Sequence, residues 1–221
     1  MPADPNILSS LGLDSLIDDG QFGRDQEENL RDPTGARVVF AAVEAMRSLH
    51  DVVENERLGA WRVAMQATGH ICGRSIASDL ELRLGALGKP ALAALPLEAC
   101  LVLIERSFAI HGWGRLELDL AYAAQYGLVL ARVEHSFFVE ALPHATDFVD
   151  PLIAGMLQGF FEHISGQSLG CEEISCIRHP VTGSVSPALC TFAITAPERL
   201  ATIRAQLGNA TAEALIARLC S

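Results

Sequence analysis

The chain has 221 residues, of which 50% are apolar, 6% aromatic and 19% charged, and its formal net charge is −11. That length suits one sizeable core. The acidic balance excludes non-specific nucleic-acid binding and attraction to an anionic membrane surface. Lys89 is the only lysine, so almost all positive charge sits on arginine.

The first twenty residues carry Asp4, Asp14, Asp18 and Asp19 and no basic residue, the reverse of an export signal, so the expected location is the cytoplasm. Eight acids and two arginines fall between Asp4 and Asp32. Residues 1–33 therefore read as a flexible acidic arm, and residues 34–221 as one domain. The alternative is that Ile7 to Ile17 forms a short amphipathic segment that docks on a partner or on the domain itself.

Asp32 then looks like a helix cap with Pro33 in the first turn. Val39, Ala42, Met46, Leu49 and Val53 follow as one apolar stripe. A second helical pattern uses Leu58, Trp61, Met65, Cys72, Ile76 and Leu80. Within it Gly69 and Gly73 lie four apart, a spacing that lets another backbone approach closely. A third helix runs from about Pro96 to Ile110, with Leu97, Leu101, Ile104 and Phe108 on one face. The most apolar window, Ala91 to Ile104, is too short to span a bilayer.

The period then changes. In GRLELDLAY, Leu116, Leu118 and Leu120 alternate with Arg115, Glu117 and Asp119, the pattern of a half-buried strand. Tyr126 to Val133 reads as its hairpin partner. After Pro143 the helical period returns in Val149, Leu152, Ile153, Met156, Leu157, Phe160, Phe161 and Ile164, a stripe broad enough for burial on more than one side. Two further strand-like runs, Ser168 to Ile177 and Ala188 to Thr195, precede helical sequence from Pro197 to about Leu219. Runs of helices and hairpins in this order predict an α+β fold with an antiparallel sheet packed against several helices.

The common catalytic patterns are missing: no GxGxxG after a strand, no phosphate loop, no GxSxG elbow. The seven histidines are scattered, and the adjacent Glu172 and Glu173 face opposite sides of a strand. A non-catalytic protein is the expectation. One cluster stands out, CEEISC from Cys171 to Cys176 followed by Cys190 and Phe192. Glu173, Cys176 and Cys190 can meet at the end of a hairpin, and thiolates with a carboxylate suit zinc. Buried cysteines packing as small hydrophobes explain the same residues.

Several of these features together resemble the 4-vinyl-reductase (4VR) domain family. They are Gly112-Trp113-Gly114 leading into a strand, the Gly-rich helix GMLQGFF from Gly155 to Phe161, Glu173-x-x-Cys176, and Cys190-x-Phe192. The resemblance covers about residues 57–196. The family takes in hydrocarbon- and tetrapyrrole-associated proteins and aromatic-sensing domains of bacterial regulators, and it shares a fold with components of the TRAPP tethering complex. Its zinc-bearing members use a cysteine before the Gly-rich helix, a glutamate and two cysteines. Carried over, these fall on Asp150, Glu173, Cys176 and Cys190, with aspartate in place of the first cysteine and a longer loop before the last. IHGWGRLELDL and PLIAGMLQGFF also resemble the D-type accessory family of bacterial cellulose synthase, a ring-forming component whose members are shorter and lack the cysteine cluster.

Three functions follow from these resemblances. The first is binding of a small hydrophobic molecule between helices and sheet, with Phe108, Trp113, Phe137, Phe138, Phe148 and Phe160 as its lining. The second is a scaffold or partner role in a biosynthetic assembly, cellulose synthesis or (bacterio)chlorophyll and tetrapyrrole synthesis being the settings implied. The third is a reductase, which lacks a nicotinamide or flavin fingerprint. The high apolar content, the Gly-x-x-x-Gly pairs (Gly69 with Gly73, Gly155 with Gly159) and the resemblance to families built from dimers or dimer-based rings predict a homodimer or larger homo-oligomer, joined largely through the helices between Pro33 and Leu84.

Overall fold

The fold is carried by a computed structural model that describes residues 6–16, 22–24, 26–27, 30–31, 38, 41–178 and 189–221. Its elements in chain order are α1 (Ile7–Ser10), β1 (Gly23–Arg24), β2 (Leu30–Arg31), α2 (Val43–Glu56), α3 (Ala60–Ala86), α4 (Leu97–Ile110), β3 (Arg115–Asp119), α5 (Ala123–Tyr126), β4 (Val129–Glu134), α6 (Phe137–Ala141), α7 (Pro151–Ser165), β5 (Gly170–Ser175), β6 (Leu189–Thr195), α8 (Pro197–Ala201) and α9 (Ala212–Leu219). β1 and β2 form a two-stranded ribbon, and the main sheet runs β3-β4-β6-β5, antiparallel throughout. The class is α+β, with helices packed on both faces of that sheet.

Strand alternation separates two cores. Leu116, Leu118, Ala131, Val133, Cys190, Phe192 and Ile194 face α3, α4 and α7 in the larger one. Leu130, Ile174 and Ala193 face the other way, under Leu200, Ile203, Leu215 and Leu219 from the C-terminal segment. The rest of that second face carries charge. There Arg115 pairs with Glu134, and Arg132 lies 3.8 Å from Glu117 and 3.6 Å from Asp119.

α3 and α7 are held together by four glycines. A Cβ on Gly69 would overlap the Leu152 carbonyl, and one on Gly73 the Met156 carbonyl. In return, a Cβ on Gly155 would overlap the Gln66 carbonyl, and one on Gly159 the His70 carbonyl. Each helix thus lays its backbone into the glycine notch of the other, and the pairings climb in the same direction along both, so the helices run parallel. The His70–Glu162 pair at 2.6 Å and the His163–Glu81 pair at 3.0 Å flank the seam. Both Gly-x-x-x-Gly pairs are therefore used inside the chain and give no support to a contact between subunits.

Other expectations need correction. In place of a flexible arm over Asn6 to Leu16, Leu8, Leu13 and Leu16 are fully buried in the main core, each worth about 1.5–3 kcal/mol. The Lys89 ammonium donates to the Leu11 carbonyl at 2.6 Å. The helix start expected at Asp32-Pro33 and the domain boundary at residue 33 lie outside the described residues. Val38, Ala41 and Ala42 are not helical, and α2 opens at Val43 behind an extended Ala42. The single C-terminal helix is broken, because Gly208 takes φ +77° and Thr211 caps a new helix by accepting from the Ala214 amide. The hairpin partner expected from Tyr126 opens only at Val129, because Ala123–Tyr126 form the short helix α5.

The glycine seam gives a paired test. Gly155→Ala should destabilise by about 1–3 kcal/mol or more, because two backbones must part to admit the methyl group. Gly85→Ala, in the same kind of helix but facing open space, should stabilise by about 0.5–1 kcal/mol. Thermal melts that move both variants alike would refute the seam.

Candidate functional site

The end of the sheet beneath the N-terminus of α7 collects the acids and thiols singled out in the sequence. Donor atoms of Glu173, Cys176 and Cys190 all lie within 4.8 Å of one another, and all three residues are buried, so the group could hold a metal ion. The arrangement depends on a β-bulge. Residues three apart in a regular strand face opposite ways, yet pairing slips between Glu173 and Ser175, which restores Cys176 to the face of Glu173. Cys190 arrives from β6, paired with Val133 on the same face. Asp150, with no exposed surface, joins the group as the residue capping α7, and its backbone N–H donates to Glu173 Oε2 at 3.0 Å.

The surroundings hold these groups in place without neutralising them. Ser136 donates its hydroxyl to Asp150 Oδ1 while its oxygen caps α6 by accepting from the Phe138 amide. The preceding His135 takes φ +54°, an uncommon backbone for a non-glycine residue. The Arg178 amide donates to Cys176 Sγ at 3.4 Å, and its guanidinium clamps the Val139 carbonyl at 2.7 and 3.2 Å. Among the described residues, Asp150 Oδ2 and Glu173 Oε1 are buried without a hydrogen-bond partner. A buried carboxylate oxygen without a donor is costly.

The titration behaviour follows from crowding. Burial pushes the Asp150 carboxyl up to about 6. Burial, followed by the neighbouring Asp150 charge, pushes Glu173 well above the usual carboxylate range. The hydrogen bond from Cys190, at a sulfur–sulfur distance of 3.6 Å, lowers Cys176 to about 7, and the same bond drives Cys190 upward. Burial of several potential anions together favours their protonated forms or a cation among them; Glu173, Cys176 and Cys190 are close enough to hold one, and Asp150 lies beside them.

Neighbouring Glu172 has the opposite fate. It accepts from Arg62 at 2.9 Å and Arg204 at 3.0 Å, so its charge is already matched.

The six aromatic residues expected to line one pocket are dispersed. Phe108, Phe138 and Phe160 are fully buried core side chains. Trp113 stacks on Phe138 and meets Phe137 edge-on, and Phe148 lies under the Arg62 guanidinium beside a crevice of only about 10 Å³. Trp61, 3% exposed, is the deeply buried tryptophan, whereas Trp113 is half-buried. Its flanking glycines do make the turn from α4 to β3, with φ +72° at Gly112 and +121° at Gly114. A Cβ at Gly114 would press on the Glu134 carbonyl and the Val133 side chain.

Trp113 also borders a groove of about 250 Å³ between α3, α4 and this turn. Ile71, Ile76, Leu80 and Met156 give it apolar walls, and Ser75, Asp79, Ser107 and His111 bring polar groups to it. His111 donates from Nδ1 to the Ser107 carbonyl at 2.7 Å, which fixes its ring. Apart from Trp113, sequence reasoning misses this groove, because its residues are spread along several helix faces with no local motif. Among the described residues, no helix is long and apolar enough to cross a membrane.

No family model matches the sequence, and no curated protein matches it. Solved structures do. The chain is similar to the phenol-responsive sensory domain of the transcription activator PoxR with phenol, with a TM-score of 0.64 and 17% identity over 99% of each chain. It is also similar to a vinyl-4-reductase family protein from Methanocaldococcus jannaschii (TM-score 0.42, 15% identity, 72% of this chain and 83% of that one). A third is trafficking protein particle complex subunit 3 from Naegleria fowleri covalently bound to palmitic acid (TM-score 0.45, 9% identity, 69% and 93%). The first of these establishes a shared fold from end to end.

Proposed function

We propose that the chain is a non-catalytic binding module that takes a small, largely apolar molecule in the groove beside Trp113. The observation that carries this reading is a groove with apolar walls and a few convergent polar groups, the usual make-up of a ligand site. It lies on a fold shared along its whole length with a domain described as phenol-responsive. Size supports the same class of ligand. An apolar cavity of roughly 150 Å³ accepts benzene, so a groove of about 250 Å³ has room for one aromatic ring with a substituent. Titration of phenol into isotopically labelled protein should shift the amides of residues 71–80 and 107–113 before any others. Ser75→Trp, which plugs the groove from an exposed position, should abolish the shifts; their absence in the parent chain at millimolar phenol would end the proposal.

The buried acids and thiols form the structural half of the reading. Asp150, Glu173, Cys176 and Cys190 would hold zinc, which would bind their unsatisfied oxygens and sulfurs and tie β5, β6 and α7 together. The two orphaned carboxylate oxygens support this set over simple cysteine packing. Elemental analysis of protein purified without chelator should find one zinc per chain, lost in Cys190→Ala together with part of the thermal stability. Substoichiometric zinc in the parent protein would return the cysteines to a packing role.

Self-association belongs to the same proposal, now supported by exposed Leu49, Val52, Leu58, Val63 and Leu82 on and between α2 and α3. Light scattering should give at least twice the 23.7 kDa chain mass; a single-chain mass at micromolar concentration would remove it.

A further inference from the structure

Two cysteines on the inner face of the sheet are in direct contact. Cys176 and Cys190 stand at a sulfur–sulfur distance of 3.6 Å, and both are buried, at 4% and 1% exposed. Strand register brings them there. After the bulge, β5 pairs with β6 through Ser175 and Thr191, and one step further along both strands stand Cys176 and Cys190. Directly opposed residues of an antiparallel pair have Cα atoms about 4.5–5.5 Å apart, inside the range of roughly 4.4–6.8 Å that a disulfide spans. Both side chains belong to the main core, on one face of the sheet, so side-chain rotation can bring the sulfurs to the bonding distance of about 2 Å.

The other four cysteines are placed elsewhere. Cys100 donates to the Leu92 carbonyl, Cys72 is exposed on α3, and Cys220 caps the end of α9. Cys171 lies opposite Ile194, at the far end of β6 from Cys190. The surroundings of the contacting pair favour its union. Asp150 and Glu173 lie beside it, and a disulfide is neutral, so its formation removes two potential anions from a buried, acidic site. The Arg178 amide and the Cys190 thiol both donate to Cys176 Sγ, which marks Cys176 as the sulfur that reacts first.

We propose that Cys176 and Cys190 are a reversible disulfide pair, oxidised by a peroxide and reduced by thiols. Burial of both sulfurs restricts the oxidant to a small one. The Cys176 sulfur attacks one peroxide oxygen and the O–O bond breaks; the departing hydroxide takes the proton that Cys176 gave up and leaves as water. Cys176 is then a sulfenic acid. The Cys190 sulfur attacks it, the S–O bond breaks, and the hydroxyl leaves with the Cys190 proton as a second water. Two thiols and one peroxide thus become one disulfide and two waters. The bond joins β5 to β6 just past the bulge and leaves neither sulfur available as a thiolate ligand. Oxidation and zinc binding therefore exclude each other, and only that exclusion rests on the zinc reading.

The full chain, as purified and again after chelator treatment, is exposed to hydrogen peroxide, alkylated in denaturant, digested and analysed by mass spectrometry. The chelator-treated protein should yield one linked peptide pair, Cys176 with Cys190, two hydrogens lighter than the separate peptides and lost on adding dithiothreitol. Its circular dichroism should match that of the reduced protein. Cys72→Ser should keep the link, whereas Cys190→Ser should abolish it and leave Cys176 as a sulfenic acid that dimedone traps. Alkylation of both thiols after peroxide, a link from Cys176 to Cys171, or a spectrum that departs from the reduced one would overturn the pair. Zinc added before peroxide should suppress the link. Equal yield with and without zinc would refute the metal site and leave the disulfide standing; stoichiometric zinc in a chain that forms no link after chelation would do the reverse.

Discussion

The close contact of α3 with α7 is the constraint from which the other arrangements follow. Side chains normally hold helix axes 8–10 Å apart. Here four glycines let the two backbones touch directly, each seating a carbonyl where a Cβ would stand. Such a contact tolerates little sliding, since a shift of one residue would set a side chain against a carbonyl. With the register fixed, α7 presents Asp150 at its start over the sheet, while α3 brings Gln66 to the Cys171 carbonyl and Arg62 to Glu172. Strand β5 is therefore gripped from the same two helices whose contact the glycines set.

The cost of the design appears one residue away. Burying a carboxylate without a counter-charge is penalised by several kcal/mol, and Glu172 avoids that by meeting two arginines at the sheet edge. Glu173, turned inward beside Asp150 and two thiols, has no basic partner among the described residues; it accepts from the Asp150 amide and lies beside the cysteines. Adjacent residues of the same type thus receive opposite treatment, and strand alternation is the reason. The Ser136 hydroxyl and the Arg178 clamp on Val139 both serve to hold α6 against this group. Arg47 of α2 donates to the Ala141 carbonyl at the other end of α6. The short helix α6 is accordingly fastened to the acid–thiol group on one side and to the surface helix α2 on the other.

How much of this is legible in the sequence depends on the range of the signal. Leu116 and Leu118 announce β3 because alternation is local, and the Gly-x-x-x-Gly pairs announce a backbone contact. What they cannot announce is each other: nothing in the spacing of Gly69 and Gly73 says that Gly155 and Gly159 are the partners, so a contact between subunits reads equally well. The apolar stripe overextends the C-terminal helix, because it hides the weight of Gly208 within it. Acidity misleads over Leu8, Leu13 and Leu16, since it masks three leucines at a spacing that suits a docked segment. Glu173, Cys176 and Cys190 stand out as a group, but the bulge that makes them converge depends on pairing with β6, which no residue pattern reveals. The aromatic residues fail as a group because a packed core and a lined pocket are built from the same side chains.

That bulge links the two faces of the sheet. A regular strand would place Glu173 and Ser175 on one side and Ile174 and Cys176 on the other. The extra residue instead gives Glu173 and Cys176 to the inner face, where Cys190 waits, and both Ile174 and Ser175 to the outer one, beside Ala193 and Thr191. A single irregularity therefore brings Glu173 and Cys176 to Cys190 inside and sets Ser175 beside Thr191 outside. Straightening it would break both at once. The two groups share no side chain, yet neither can be assembled without the same slip in register, so any change in how β5 pairs with β6 would be felt on both faces of the sheet.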